Sequence, residues 1–165
     1  MSSNIGVMGH PIGHTKSPIF QQAGLNELGI DETFEAWDVL PEDLEDKVAT
    51  FREKGFIAAC VTLPHKQAVI PMVDELTEAA ESVGAVNWIF NRDGKLIGHN
   101  TDCNGFLRAL KEEAGFDPKG ADAVVFGAGG AARAIVYALK TAGVNRLTIA
   151  NRTVEKAQAL ANDFS

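Results

Sequence analysis

Short apolar runs alternate along this chain with stretches in which apolar residues recur every third or fourth position, so strands and helices follow one another. Ile5-Gly-Val-Met8 predicts a first strand. Ser17-Pro18 reads as a helix start, a capping residue followed by proline at the first helical position, with the helix running to about Leu28. Residues 34–39 predict a strand, 41–54 an acidic amphipathic helix, and 56–63 a buried apolar strand that Pro64 ends. Residues 65–76 predict a further helix, kinked or divided by Pro71. After a short helix at 78–83, strands at 85–91 and 95–99 are joined by Asp93-Gly94, a strong hairpin signal. Helical spacing returns at 104–114 in Phe106, Leu107 and Leu110, and 116–120 has loop composition. The remainder predicts strand 122–126, helix 130–142, strand 146–150 and helix 153–164, a single βαβα unit.

That last unit carries the first chemical signal. Asp122-Ala-Val-Val-Phe-Gly127-Ala-Gly-Gly130-Ala-Ala-Arg133 is an apolar strand entering a glycine-rich turn and then a helix. Glycines there let the backbone turn tightly and approach a pyrophosphate, which the exposed N–H groups and positive end of the helix hold. An NAD site calls for an acid at the end of the following strand, to take the ribose 2′-hydroxyl. This chain has Asn151-Arg152-Thr153, and a guanidinium suits a 2′-phosphate, so the cofactor expected is NADP. The fold class expected is α/β, an N-terminal α/β unit at 1–103 and a connecting helix and loop at 104–119. The opening βαβα of a Rossmann dinucleotide-binding domain then occupies 120–165.

Composition narrows the ligand. A chain of 165 residues, 45% hydrophobic and 22% charged, has ordinary globular make-up. Its formal net charge of −7 offers no basic footprint for nucleic acid or anionic membrane, so the expected partner is a small molecule held by local basic groups. Cys60 and Cys103 are too few for a disulfide framework, His10, His14, His65 and His99 have no metal-ligand spacing, and no run reaches membrane-spanning length. A cytoplasmic protein without a resident metal is the expectation.

Four polar clusters stand at predicted strand ends, where open α/β sheets place ligands. Pro11-Ile-Gly-His-Thr15-Lys-Ser17-Pro18 supplies two hydroxyls, which a helix start also explains. Val61-Thr62-Leu-Pro64-His-Lys66 puts a lysine just beyond a buried strand; taken alone, such a lysine is a solvated surface residue. Gly84-Ala-Val-Asn87 offers an amide that reads a hydroxyl or closes a turn. In Gly98-His-Asn100-Thr101-Asp102-Cys-Asn104-Gly105 an isolated Asp102 would be a helix cap. Together, a lysine and an aspartate at neighbouring sheet ends form a proton-transfer pair beside a hydride acceptor, if they meet.

In order and spacing, these clusters with the glycine loop and Asn151-Arg152-Thr153 resemble the successive motifs of shikimate dehydrogenases along essentially the whole chain. The glycine loop and Asn-Arg-Thr are shared with glutamyl-tRNA reductases and other NADP enzymes. Val-Thr-x-Pro-His-Lys combined with Asn-Thr-Asp-x-x-Gly-Phe is far more specific. The resemblance implies NADPH-dependent, reversible reduction of 3-dehydroshikimate to shikimate, in aromatic amino-acid biosynthesis. It implies that Thr15, Ser17, Thr62, Lys66, Asn87 and Asp102 bind the hydroxyls and carboxylate of a cyclohexene acid, and that Lys66 and Asp102 transfer the proton. Gly127, Ala128, Gly129, Gly130 and Ala131 would cradle the pyrophosphate, and Asn151, Arg152, Thr153 and Lys156 would surround the 2′-phosphate.

Several positions depart from the family pattern. Thr15 replaces a serine, Gln21-Gln22 a His-Asn pair, Cys60 an asparagine, Trp88 a threonine, and Lys156 an arginine whose bidentate grip lysine lacks. These changes keep the Lys66 and Asp102 pair but alter the polar lining, so a quinate or other hydroxy-acid dehydrogenase stays open. The chain stops inside a predicted helix at Ser165, before a late helix that in the family returns a glutamine to the substrate domain, which reads as a truncated chain, a fragmentary gene product or an incomplete sequence. Two strands leave an open edge and little core, unstable alone or paired with another chain, and a non-catalytic substrate-binding fragment is the competing reading. A homodimer is compatible with the sequence, which does not fix the oligomeric state.

Overall fold

The computed structural model describes residues 4–164; residues 1–3 and Ser165, on which the expectation about where the chain stops rests, lie outside them. Six strands form one mixed sheet in the order β2-β1-β3-β5-β6-β4: β1 (Ile5–Gly9), β2 (Phe34–Asp38), β3 (Ala58–Val61), β4 (Glu75–Leu76), β5 (Trp88–Arg92) and β6 (Lys95–His99). Strands β1, β2 and β3 run parallel, β5 is antiparallel to both β3 and β6, and β4 pairs parallel with β6. Alternation along β1 sends Ile5 and Val7 to one face, under α1 (Ser17–Glu27), in a cluster with Leu25 and Phe34. Met8 enters the opposite core with Leu44, Val48 and Phe51 of α2 (Leu44–Thr50) and the segment after it. The β5–β6 hairpin turns through Asp93 and Gly94, both at positive φ, as the Asp-Gly signal predicts.

Five elements differ from expectation. The helix expected at 41–54 is a 3-10 turn, Pro41–Asp43, followed by α2, which ends at Thr50. The expected strand at 56–63 is assigned only over β3, and the one at 85–91 begins at Trp88. No helix forms over 65–76: consecutive turns lead to a 3-10 turn at Ile70–Met72 and then to β4. Pro71 has no N–H to give, and the Lys66 carbonyl accepts from Val86 N at 2.7 Å, so Ile70 N–H bonds Gln67 O instead of continuing an α-helix. The helix expected at 104–114 begins at Asp102 as α4 (Asp102–Arg108) and widens into a π turn, Ala109–Glu113.

Beyond that turn, β7 (Asp122–Phe126) and β8 (Arg146–Ala150) form a separate parallel pair, covered on one face by α5 (Gly130–Thr141) and α6 (Val154–Asp163). Val125, Val136, Leu139 and Leu160 make its core. The other face is open, with Phe126 84% exposed. The expected shortage of core is partly met from outside the unit. Ala134 and Ala138 on a second face of α5 are fully buried with Val83 at the end of α3 (Glu78–Val83), Ala85 just beyond it, and Cys103 of α4.

Candidate functional site

The sheet directions bring the four polar clusters to one end. β1 and β3 are parallel, so the segments after Gly9 and Val61 leave from the same edge. Cys60 pairs with Trp88 and Trp88 with His99, so Asn87 and the segment 100–102 lie there too. Lys66 Nζ donates to Asp102 Oδ2 at 2.5 Å, with the two side chains 15% and 28% exposed. Asn87 Nδ2 donates to Asp102 Oδ1 and to Thr101 Oγ1, both at 2.8 Å, while its Oδ1 accepts from Thr101 N at 3.0 Å. Both carboxylate oxygens of Asp102 therefore have donors.

Asp102 is not the helix cap that an isolated acid would be. It is the first residue of α4, and Asn100 Oδ1 takes its N–H at 2.9 Å. Asn100 is buried, and its amide donates to Ala85 O at 2.9 Å. Sequence reasoning gave no role to Asn100 or Thr101, although both stand in the cluster that drew attention to Asp102. Buried asparagines beside a strand end are the signal that could have found them, since burial demands that the amide be paired.

Thr15 and Ser17 meet each other, Oγ1 to Oγ at 3.2 Å, and Thr15 Oγ1 also accepts the Ser17 N–H. Ser17 is the first residue of α1 rather than its cap, with Lys16 before it making no side-chain capping bond. Their loop is tied to the end of β3 by His10 N donating to Leu63 O at 2.9 Å. Gln22 serves structure: its amide bonds Asn26 and the Glu32 carbonyl, and its Oε1 receives the N–H of Phe34 at the start of β2. Trp88 packs with Cys60 against the α1 core and stacks on Phe90 at 6.1 Å between centroids. Burial pushes the Cys60 thiol up to about 11, with Lys66 opposing the rise and Asp102 adding to it, so a neutral thiol stands within the field of the ion pair.

Thr62, Lys66 and Gln67 line a cleft of about 690 Å³ together with the glycine loop. Gly127 has φ +114, a conformation that favours glycine, and its N–H bonds Ala150 O at the end of β8. α5 then starts at Gly130 with no acid in its first turn, leaving its positive end open toward the cleft. Gly130 lies against Lys66, where a Cβ would stand 2.7 Å from Lys66 Cβ, so the glycine loop and the lysine are in van der Waals contact. Asn151, Arg152, Thr153 and Lys156 line the far end, where β8 closes without a carboxylate. The Arg152 and Lys156 side chains have no ion-pair partner among the described residues. Among the described residues no cluster of His, Cys, Asp or Glu suits a metal, and no helix is long and apolar enough to cross a membrane.

Residues 7–89 match the shikimate dehydrogenase substrate binding domain, and residues 109–165 match the shikimate/quinate 5-dehydrogenase family. A shikimate dehydrogenase (NADP(+)) of Methanopyrus kandleri is 47% identical over 160 residues, 97% of this chain and 55% of that protein. The chain thus spans about half the length of the curated relatives it matches. Shikimate 5-dehydrogenase of Thermus thermophilus, solved in complex with NADP(H) and shikimate, superposes with a TM-score of 0.87 at 39% identity, over 97% of this chain and 60% of that one. A 5-ketofructose reductase of Gluconobacter, solved without ligand, gives 0.81 at 38% identity, over 96% and 57%. Two family matches along the chain, which between them contain the residues that line the cleft, make this chain a member of the shikimate dehydrogenase family.

Proposed function

We propose that this chain carries the substrate-binding half and the cofactor-loop half of an NADP-dependent shikimate dehydrogenase, which interconverts 3-dehydroshikimate and shikimate. The observation that carries the reading is the contact of Lys66 with both Asp102 and Gly130, a proton donor held between a carboxylate and a dinucleotide loop. Residues 1–103 form the substrate-binding domain, 104–119 the connection, and 120–165 the opening of the NADP-binding domain. The cofactor fits the residues present: glycine backbone, a helix N-terminus with no acid in its first turn, and two cations without an ion-pair partner among the described residues where a 2′-phosphate would lie. NADPH, when bound, supplies the hydride.

A ketone carbon that accepts hydride leaves negative charge on its oxygen. The Lys66 ammonium, aimed by Asp102, stabilises that charge and gives up a proton to the oxygen; in the direction of oxidation it takes the proton back. Asn87 holds Asp102 in place and, with Thr15, Ser17 and Thr62, orients the hydroxyls and carboxylate of the ring. Gly127, Ala128, Gly129, Gly130 and Ala131 receive the pyrophosphate. Asn151, Arg152, Thr153 and Lys156 receive the 2′-phosphate. The partners are small molecules, with no nucleic acid or membrane, and two unpaired cysteines fit the reducing cytoplasm.

Cys60 favours a second reading. A neutral thiol close to Lys66 and Asp102 is a poor hydrogen-bonding partner, and the 5-ketofructose reductase is nearly as similar as the shikimate enzyme, so quinate or another hydroxylated substrate is the alternative. Calorimetric titration of this polypeptide with NADP⁺, shikimate and quinate tests the proposal. Saturable binding of NADP⁺ and a preference for shikimate are expected. Shikimate binding without NADP⁺ binding would leave a substrate-binding fragment, and a preference for quinate would move the substrate.

A further inference from the structure

We propose that Arg133 is a positioning residue, clamping the first turn of α5 onto the substrate side so that the glycine loop keeps a fixed distance from Lys66. The inference rests on the proposed reaction for its kinetic consequence, but not for its geometry. Arg133 lines the cofactor cleft, where a free guanidinium would be a phosphate ligand. Two of its three nitrogens are already committed. Nε donates to Val83 O at 2.9 Å and Nη1 to Asp163 Oδ2 at 2.6 Å, with the side chain only 14% exposed. The guanidinium carbon lies 5.3 Å from the centre of the Phe164 ring.

The partner position is shaped to receive it. Gly84 ends α3 in the left-handed region at φ +67, and a Cβ there would stand 2.6 Å from Arg133 Nη2. A side chain at 84 would therefore meet both backbone strain and the guanidinium. Val83 and Gly84 lead through Ala85, whose carbonyl holds Asn100, to Asn87, which holds Asp102. On the α5 side, Arg133 is three residues from Gly130, so both lie on one face of the helix, and Gly130 is the residue in contact with Lys66. One turn of α5 thus touches the substrate side twice, once at the proton donor and once at the segment that orients its carboxylate. Asp163 and Phe164 extend the same clamp to the end of α6, the helix that follows Arg152.

Arg133→Met tests this, with Arg133→Lys as the conservative variant that keeps the charge and as the substitute should the methionine variant fail to fold. Hydrogen exchange reads the geometry without turnover. The clamp predicts that amides in 84–87 and in 130–134 lose protection together, by about tenfold or more, and that lysine restores part of it. In steady-state oxidation of shikimate, kcat falls about 10- to 100-fold, as expected for a displacement near 1 Å, while KM for NADP⁺ stays within about threefold. Unchanged exchange at 84–87 in the variant would overturn the clamp. A rise in KM for NADP⁺ at unchanged kcat would also overturn it, in favour of a phosphate ligand. If the unaltered polypeptide shows no turnover, the proposed reaction fails while exchange alone decides the clamp.

Discussion

Replacing Gly130 by alanine sets two well-known effects against each other. Alanine is the better helix former, and Gly130, the first residue of α5, is not in the left-handed region, so the backbone accepts a side chain. On propensity the substitution should stabilise by about 0.5–1 kcal/mol. The new methyl, however, would stand 2.7 Å from Lys66 Cβ and 3.1 Å from Cδ. Carbon atoms prefer about 3.5–4.0 Å, so one side must retreat by roughly 1 Å. Lys66 Cβ has no rotamer escape, and the Lys66 carbonyl is pinned by Val86 N at 2.7 Å. Overpacking of this kind costs about 1–3 kcal/mol, which set against the helix gain leaves a net loss of about 0–2.5 kcal/mol. The same 1 Å displacement of the lysine lowers kcat by about 10- to 100-fold. Urea denaturation gives the first quantity, and NADPH absorbance during shikimate oxidation gives the second. A Gly130→Ala protein more stable than the parent, with kcat unchanged, would refute both the contact and its consequence.

The other predictions address the cofactor and the thiol. Arg152→Ala should raise KM for NADP⁺ by about 10- to 100-fold, the worth of a charge-assisted hydrogen bond, and leave NAD⁺ almost untouched; equal losses in steady-state kinetics would contradict a 2′-phosphate role. Cys60, whose thiol burial raises from 9.0 to about 11, stays protonated in the folded chain while the unfolded thiol ionises. Its stabilising contribution is full below pH 9.0 and is lost as pH rises toward about 11, by about 2.7 kcal/mol. Urea midpoints of the parent should therefore fall more steeply across that window than those of Cys60→Ala, and parallel slopes would count against the buried thiol.

Elements whose periodicity and end signals agree are legible in the sequence. β7, α5 and β8 fall where the apolar run, the glycine turn and the next apolar run put them, and Asp93-Gly94 turns as its dipeptide requires. The segment 65–76 is misread because its apolar spacing fits a helix, whereas its hydrogen bonds are spent elsewhere: the Lys66 carbonyl on Val86, the buried His65 ring on Val39 O at 2.7 Å. Those partners are distant in the chain, and periodicity carries no trace of them. The same limit applies to the site. Lys66 and Asp102 stand out individually by residue type at a strand end, but their meeting depends on the antiparallel pairing of β5 with both β3 and β6. Asn100, Thr101 and Arg133 stand inside the motifs, but they act on backbone groups or on other polar side chains, so residue type and spacing do not disclose what they do.

The central claim is that Lys66, held by Asp102, moves the proton while NADPH supplies hydride on the glycine-loop side. The most direct test follows shikimate oxidation by NADP⁺ with both ligands saturating, comparing the unaltered polypeptide with Lys66→Ala. The account predicts turnover in the first and a kcat lower by about 10²- to 10⁴-fold in the second, with NADP⁺ binding retained. Equal turnover in the two proteins, or none in the unaltered polypeptide with both ligands bound, would contradict it.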